Sequence, residues 1–494
     1  MRNYLKFIIF WEKMIKRSFC IHIFMLFFFT LIYLLIDFII YKPFYIVTLS
    51  LCFLNVVLFL FNPKKSIFMF LPFMLLSDWA SKFDIRSTAE MASINTIYFG
   101  PFNLMTYMLL FFTLFSIVNV MINKQNKLTV TKIGLGVVVI FLIYILEATI
   151  GLKNILSYPR EYIGDIASFI NLFAGFIIIN TFIKDTKSID SLIWVFLYTF
   201  GARTLVGLIM FFFNIGYKGG YLLIPFYDPI GAFPIFVLFL CISFILFGNI
   251  HKHTRSFFYL LMLMSLAFMM MWPGKSNWIF TFFGLVFVSL FLHFGKKLIF
   301  LMSTFLVIII MVLTLYNFKK DLILYSLWRL STLCNITEDA ESSSSSQRYT
   351  EYMNIFYKLK DENSLFYGDG AGGWFDDKYI PFSAIKAGLM HSAFTEKQVQ
   401  EWKFFHPHEN LSNIFLKSGL IGLAFFGYAI ILFTEVVFKK GKGKDKYQKA
   451  IFIGLYVPIL TLLIGGFASK NFIMAGVLLG LMENIQKQQF YVNN

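Results

Sequence analysis

The residues best equipped to move a proton or hold a phosphate crowd into one part of the chain. His406-Pro407-His408-Glu409-Asn410 stands directly before an apolar run that continues Leu411-Ser412-Asn413-Ile414-Phe415-Leu416-Lys417-Ser418-Gly419-Leu420-Ile421-Gly422. A histidine at the mouth of a helix titrates near neutral pH and can act as a general base. The positive end of the helix dipole favours the neutral ring, whereas a nearby anion favours the protonated one. The same residues also suit a capping and interfacial cluster, with Asn410 or His408 as the cap, and the sequence leaves both roles open. As a metal pair, His406 and His408 lack a third ligand tied to them by spacing. No metal and no cofactor is expected.

Upstream lies Ser345-Ser346-Gln347-Arg348-Tyr349-Thr350-Glu351-Tyr352, followed by Gly368-Asp369-Gly370-Ala371-Gly372-Gly373-Trp374. The glycines match G-x-G-x-x-G in form, but a dinucleotide fingerprint needs a strand before it and a helix after it, and neither is evident. A turn that lets chain or ligand approach closely is the simpler reading. Arg348 could hold phosphate oxygens with its planar fork, or lie on a solvated helix face. Asp376-Asp377 reads as a solvated turn more readily than as a cation site. A third place is Trp272-Pro273-Gly274-Lys275-Ser276-Asn277, where Lys275 is either a snorkelling anchor or a cation facing the same compartment as Arg348 and His408. Inside apolar runs, Glu147, Arg203 and Lys417 are costly enough to be candidates for substrate contact, with Glu147 as an alternative structural partner for Arg203. His251-Lys252-His253 reads as a topology signal.

The elements that must position these residues follow from composition. Of 494 residues, 58% are apolar, 14% are charged and 65 are phenylalanine. A soluble domain is about half apolar and a quarter charged, so soluble and disordered classes are excluded. The expectation is an all-α polytopic membrane protein forming one transmembrane domain over residues 1–494. Apolar runs fall near 18–40, 44–62, 66–78, 101–122, 131–152, 163–183, 191–214, 229–249, 256–272, 277–293, 298–316, 411–438, 450–467 and 471–485, about fourteen spans in all. The third would reach only roughly 20 Å against a hydrocarbon core of about 30 Å. Charge parity argues for counting it. With all fourteen, Lys and Arg collect in the N-terminal segment, in alternate loops and at the C-terminus, whereas omitting the third would send the cluster from Lys439 to Lys449 outside. Both termini are therefore expected in the cytoplasm, and the basic N-terminus, with no small-residue cleavage site after it, reads as an uncleaved first span.

The formal charge of +16 is then topological, and nucleic acid has no support as a partner. The exceptional segment is the loop over residues 317–410, with 10 basic and 13 acidic residues, expected on the outer side as the catalytic loop. Asp321 to Arg329 suits an interfacial helix, and Ser342 to Ser346 a linker. Cys20, Cys52 and Cys241 lie in apolar runs and Cys334 stands in a polar stretch, so no disulfide or zinc framework is readable.

Taken together these features resemble the O-antigen ligase and Wzy-type polysaccharide polymerase superfamily of bacterial inner membranes. The resemblance rests on His408 followed at fixed spacing by Gly419-Leu420-Ile421-Gly422, on Arg348 some twenty residues before Gly368-Asp369-Gly370, and more loosely on Gly274-Lys275-Ser276. By motif it covers roughly residues 270–425. Glu409 stands where the family prefers asparagine, serine or glutamine, and Lys275 replaces the usual arginine. The resemblance implies a C-type glycosyltransferase fold and metal-independent, inverting transfer from a polyprenyl-diphosphate-linked glycan donor to a glycan acceptor, at a bilayer, with a chain-length regulator as a further partner. It implies His408 and Arg348 as catalytic residues and Lys275 as a diphosphate contact; Arg203 and Lys417, from their cost inside apolar runs, and His406, from its place beside His408, are the further candidates for substrate contact. The leading expectation is a polymerase that joins lipid-linked repeat units into a surface polysaccharide. A ligase moving a finished glycan to a lipid core or a protein shares the same motifs. A flippase or transporter is the alternative from another class, although a transporter should place its polar residues along a midplane pathway.

Overall fold

The computed structural model describes residues 19–35, 45–77, 98–122, 131–212, 232–271, 275–318, 320, 324, 344–382, 396–465 and 469–492. The basic N-terminal segment, the expected interfacial helix at 321–329 apart from helical Leu324, and Cys334 lie outside the described residues. The chain is a helical, multi-pass membrane protein. In order its helices are α1 Phe19–Leu35, α2 Tyr45–Phe61, α3 Pro63–Ser77, α4 Leu104–Ile122, α5 Lys132–Ile150, α6 Pro159–Phe182, α7 Thr186–Phe212, α8 Ala232–Phe247, α9 Lys252–Met271, α10 Lys275–Ser289 and α11 Phe294–Phe318. There follow α12 Ser344–Asp361, α13 Glu396–Glu401, α14 Asn410–Gly441, α15 Lys446–Ile464 and α16 Ser469–Val492.

Over its described residues, each of the fourteen apolar runs overlaps a helix. Among the described residues, seven helices are long and apolar enough to cross a membrane: Leu104–Ile122, Lys132–Asn154, Pro159–Phe182, Thr186–Ile209, Phe294–Thr314, Asn410–Gly441 and Lys446–Ile464. Phe19–Leu35, Ile46–Phe61, Phe233–Phe247 and Trp278–Ser289 are shorter and equally apolar in character. α11 shows why composition alone separates this chain from soluble proteins. Phe294, Leu298, Ile299, Met302, Phe305 and Leu306 are all exposed on it, a surface that only a lipid solvent tolerates.

Inside, helices meet through small residues and aromatic rings. α6 and α16 approach so closely that a Cβ on Gly476 would lie 2.0 Å from the Leu172 carbonyl oxygen, and one on Gly175 would lie 2.6 Å from that of Ile473. Lipid supplies no hydrophobic drive between helices, so such backbone proximity and its dispersion contacts hold them. Phe59 and Phe112 stack at 4.0 Å between α2 and α4, and Phe200 and Phe233 at 4.5 Å between α7 and α8.

The long segment before α14 is a folded unit over its described part. α12 opens at Ser344, so the serine run is partly helical rather than wholly a linker. Ile355 and Leu359 of α12 bury against Phe375, Phe382, Phe404, Phe415 and Leu416, a small core of its own. α12 stops in a Schellman turn: Asn363 sits at φ 55°, the Ser364 N–H donates to the Leu359 carbonyl at 2.8 Å and the Asn363 N–H to that of Lys360 at 3.1 Å. Phe375 and Phe404 then pair backbone to backbone, at 2.9 and 2.8 Å, which delivers the chain to His406.

Candidate functional site

α14 is broken where its apolar sequence gives no warning. Gly419 has φ 63° and ψ −155°, a region closed to residues with a side chain. At a break within a membrane helix the freed backbone groups need partners from the protein itself. The glycine-rich loop supplies them. Asp369 and Gly370 donate their N–H groups to the carbonyls of Leu416 and Lys417, at 2.8 and 2.9 Å, while Leu365 and Phe366 accept from the N–H groups of Leu420 and Ile421, both at 3.0 Å. Ala371 continues the wedge by donating to the Glu147 carbonyl of α5 at 2.8 Å. Close chain approach is thus what the glycines serve: a Cβ on Gly370, itself at φ 78°, would lie 2.1 Å from the Gly151 nitrogen.

An ion pair and a histidine–carboxylate contact stitch α12 to the turn before α14. Arg348 Nη1 meets Glu409 Oε1 at 2.8 Å, and His408 Nδ1 meets Glu351 Oε1 at 2.5 Å. Arg348 and Glu351 are three residues apart, so one helix face presents both, and His408 and Glu409 are neighbours in the turn. Glu351 also accepts the His408 backbone N–H on its other oxygen at 3.0 Å. The carboxylate of Glu351 is buried, whereas the side chains of Arg348 and Glu409 are 34% and 40% exposed. Arg348 Nε has no hydrogen-bond partner among the described residues. Neither capping role expected of this turn is realised. Glu409 is the N-cap and makes no side-chain cap bond, because its carboxylate faces Arg348, and Asn410 Nδ2 instead donates to the Leu463 carbonyl of α15 at 2.5 Å.

Behind these pairs lies a buried polar layer. Lys417, with no exposed side chain, holds Asp165 Oδ2 of α6 at 2.9 Å and donates to the Gly373 carbonyl at 2.6 Å. The same Asp165 oxygen accepts the Gly372 N–H at 2.7 Å, and its other oxygen faces His406 Nδ1 at 3.5 Å. Burial pushes the His406 imidazole below its ordinary pKa, against the pull of Asp165 and Glu161 and with Lys417 adding to the fall. Glu147 accepts from Ser418 Oγ at 3.0 Å. Asp369 receives Lys358 at 2.8 Å and Lys153 at 2.6 Å.

The expected site residues therefore divide. Arg348 and His408 lie on facing elements and share one interlocked set of pairs. His406 and Lys417 converge on Asp165, where Lys417 ties the glycine-rich loop to α6 and α14 and has no surface with which to reach a substrate. Arg203 stands elsewhere, on α7, with its guanidinium 4.2 Å from the Phe233 ring centre and Nη1 3.4 Å from the Leu75 carbonyl. Glu147, the alternative structural partner, instead accepts from the hydroxyl of Ser418. Lys275 is the first residue of α10, and its side chain lies outside the described residues. Sequence reasoning missed Glu351, Asp165, Asp369 and Lys358. Asp165 was findable as a carboxylate within the sixth apolar run, and Glu351 as the residue one turn from Arg348.

These features define a helical membrane protein with a folded, charge-bearing unit at one end of its bundle. Set against family models, curated proteins and solved structures, the chain matches none.

Proposed function

We propose that the chain is a glycosyltransferase that joins polyprenyl-diphosphate-linked oligosaccharide repeat units into a surface polysaccharide, by metal-independent inverting transfer at the outer face of a bacterial inner membrane. The observation that carries this reading is the pairing of α12 with the turn before α14, which holds a guanidinium and an imidazole side by side at the mouth of one helix. The chemistry needs both. As an acceptor hydroxyl attacks the anomeric carbon, its proton passes to His408, and the bond from that carbon to the diphosphate oxygen breaks with its electrons leaving on phosphate. Arg348, with about a third of its side chain exposed, would take up the charge that accumulates there. Fourteen spans, cytoplasmic termini and an external loop belong to this proposal, as does a chain-length regulator as partner.

A transport reading has one specific observation in its favour, the broken α14 beside buried Asp165, Lys417 and Glu147, because transporters build midplane sites from interrupted helices. Here, however, the groups freed at the break are taken by Leu365, Phe366, Asp369 and Gly370 of the chain itself, so they do not face a ligand. The decisive measurement is a gel profile of surface and lipid-linked glycans with His408→Ala and Arg348→Ala at equal protein level. Collapse of a polymer ladder to a single repeat unit supports the polymerase. Full-length glycans stranded on the lipid carrier would make the protein a ligase of the same chemistry, and an unchanged profile would remove both residues from the mechanism.

A further inference from the structure

Glu351 is a buried carboxylate, each of whose oxygens contacts His408. Oε1 lies 2.5 Å from His408 Nδ1 and Oε2 accepts the His408 backbone N–H at 3.0 Å. A carboxylate accepts hydrogen bonds and donates none. The first contact therefore requires a proton on Nδ1, which in the neutral ring leaves the lone pair on Nε2. The second fixes the backbone from which the ring hangs. Two contacts on one rigid group set the tautomer, the ring plane and the position of Nε2 together, from within a helix anchored by Ile355 and Leu359.

We infer that Glu351 is the positioning residue of this site: it holds His408 as the Nδ1–H tautomer with Nε2 as the base toward the acceptor hydroxyl. The inference rests on the glycosyltransferase reading above and adds a residue to it. Glutamine is the informative replacement. It keeps the volume but has one acceptor oxygen where glutamate has two. If that oxygen keeps the backbone N–H, the amide NH2 faces Nδ1 and forces the proton to Nε2, where the base should be. If the oxygen turns to Nδ1, the backbone N–H of His408 meets a donor and the turn shifts. Aspartate keeps both acceptors on a shorter arm.

The test uses the full chain in nanodiscs, labelled with 15N-histidine. The signals of His408 are assigned among the seven histidines by their loss in His408→Gln, and the Nδ1 and Nε2 shifts report the tautomer. In the same preparations, kcat and KM are measured with a lipid-linked repeat unit. Expected are an Nδ1–H ring in the wild type, loss of that tautomer in Glu351→Gln, a fall in kcat of about 100-fold with KM nearly unchanged, and partial recovery in Glu351→Asp. An Nε2–H ring in the wild type overturns the inference, and needs no variant to fold. So does a change in Glu351→Gln of tautomer without kcat, or of kcat without tautomer. Full activity in His408→Ala overturns the enzyme reading instead, and leaves the hold of Glu351 on the ring to be judged by the tautomer alone.

Discussion

Asp369 sits between two lysines that differ in what surrounds them. Lys358 is 7% exposed and Lys153 is 54% exposed, and each meets one oxygen of the carboxylate. Burial works against the charge on Asp369, but Lys358 first and Lys153 with it outweigh that penalty and hold its carboxyl below the ordinary value. A depressed folded value means stability that is complete above the unfolded pKa of about 3.9 and lost as pH falls through the folded one. The two lysines should not be equal. Lys358→Met leaves a buried carboxylate with one solvated partner and should cost about 3 kcal/mol, whereas Lys153→Met should cost about 1 kcal/mol or less. Thermal midpoints of the two purified variants measure the difference, and equal losses would mean that Asp369 is solvated. None of this was legible from residue types, because Lys153 and Asp369 are 216 positions apart. His408 and Arg348 were legible because imidazoles at a helix mouth and a guanidinium before a glycine run stand out in an apolar chain. Glu351 needed the extent of α12 before its one-turn spacing from Arg348 had meaning.

At the scale of elements, the instructive case is the joint between α14 and the glycine-rich loop. Two glycine clusters were visible in the sequence, and the close approach that glycine allows was expected of the first, but its partner was not. A run as apolar as 411–438 reads as one unbroken helix, because hydropathy carries no record of a φ angle. Gly419 and the loop are matched to each other: a Cβ on Gly419 would lie 2.5 Å from the Phe366 carbonyl carbon and oxygen, in a backbone conformation that side chains avoid. Gly427, farther along the same helix, has nothing within 4 Å of where its Cβ would be. Gly419→Ala is therefore expected to cost at least about 2 kcal/mol, since strain and clash with backbone add. Gly427→Ala should be neutral or slightly stabilising, because alanine is the better helix former by about 1 kcal/mol. The check is the thermal midpoint of each variant alongside its level in the membrane. An unperturbed Gly419→Ala would mean that the break closes without it.

For the whole molecule, polar contacts sort the connecting segments into two ends. Lys64 pairs with Asp185, Lys132 with Glu435, and Thr131 with Glu483, so the segments after α2, α4, α6, and around the ends of α14 and α16 share one end. Lys153 and Asn154 bind Asp369, and Lys403 donates to Tyr158 at 2.6 Å, which gathers the segment after α5 and the long loop at the other. Charge parity expects these two groups of segments on opposite sides of the membrane, because lysines resist translocation. Which end faces the cytoplasm is a question of orientation that single cysteines answer. Starting from a chain with its four cysteines replaced, Ser157→Cys lies on the exposed turn beside Asn154 and Lys444→Cys on the exposed turn after α14. A membrane-impermeant maleimide applied to spheroplasts should label the first and not the second, while both label once the membrane is opened. The reverse pattern would place α12, His408 and Arg348 in the cytoplasm, where a polymerase working on glycans already carried across the membrane has no substrate, and the proposed activity would fall with the orientation.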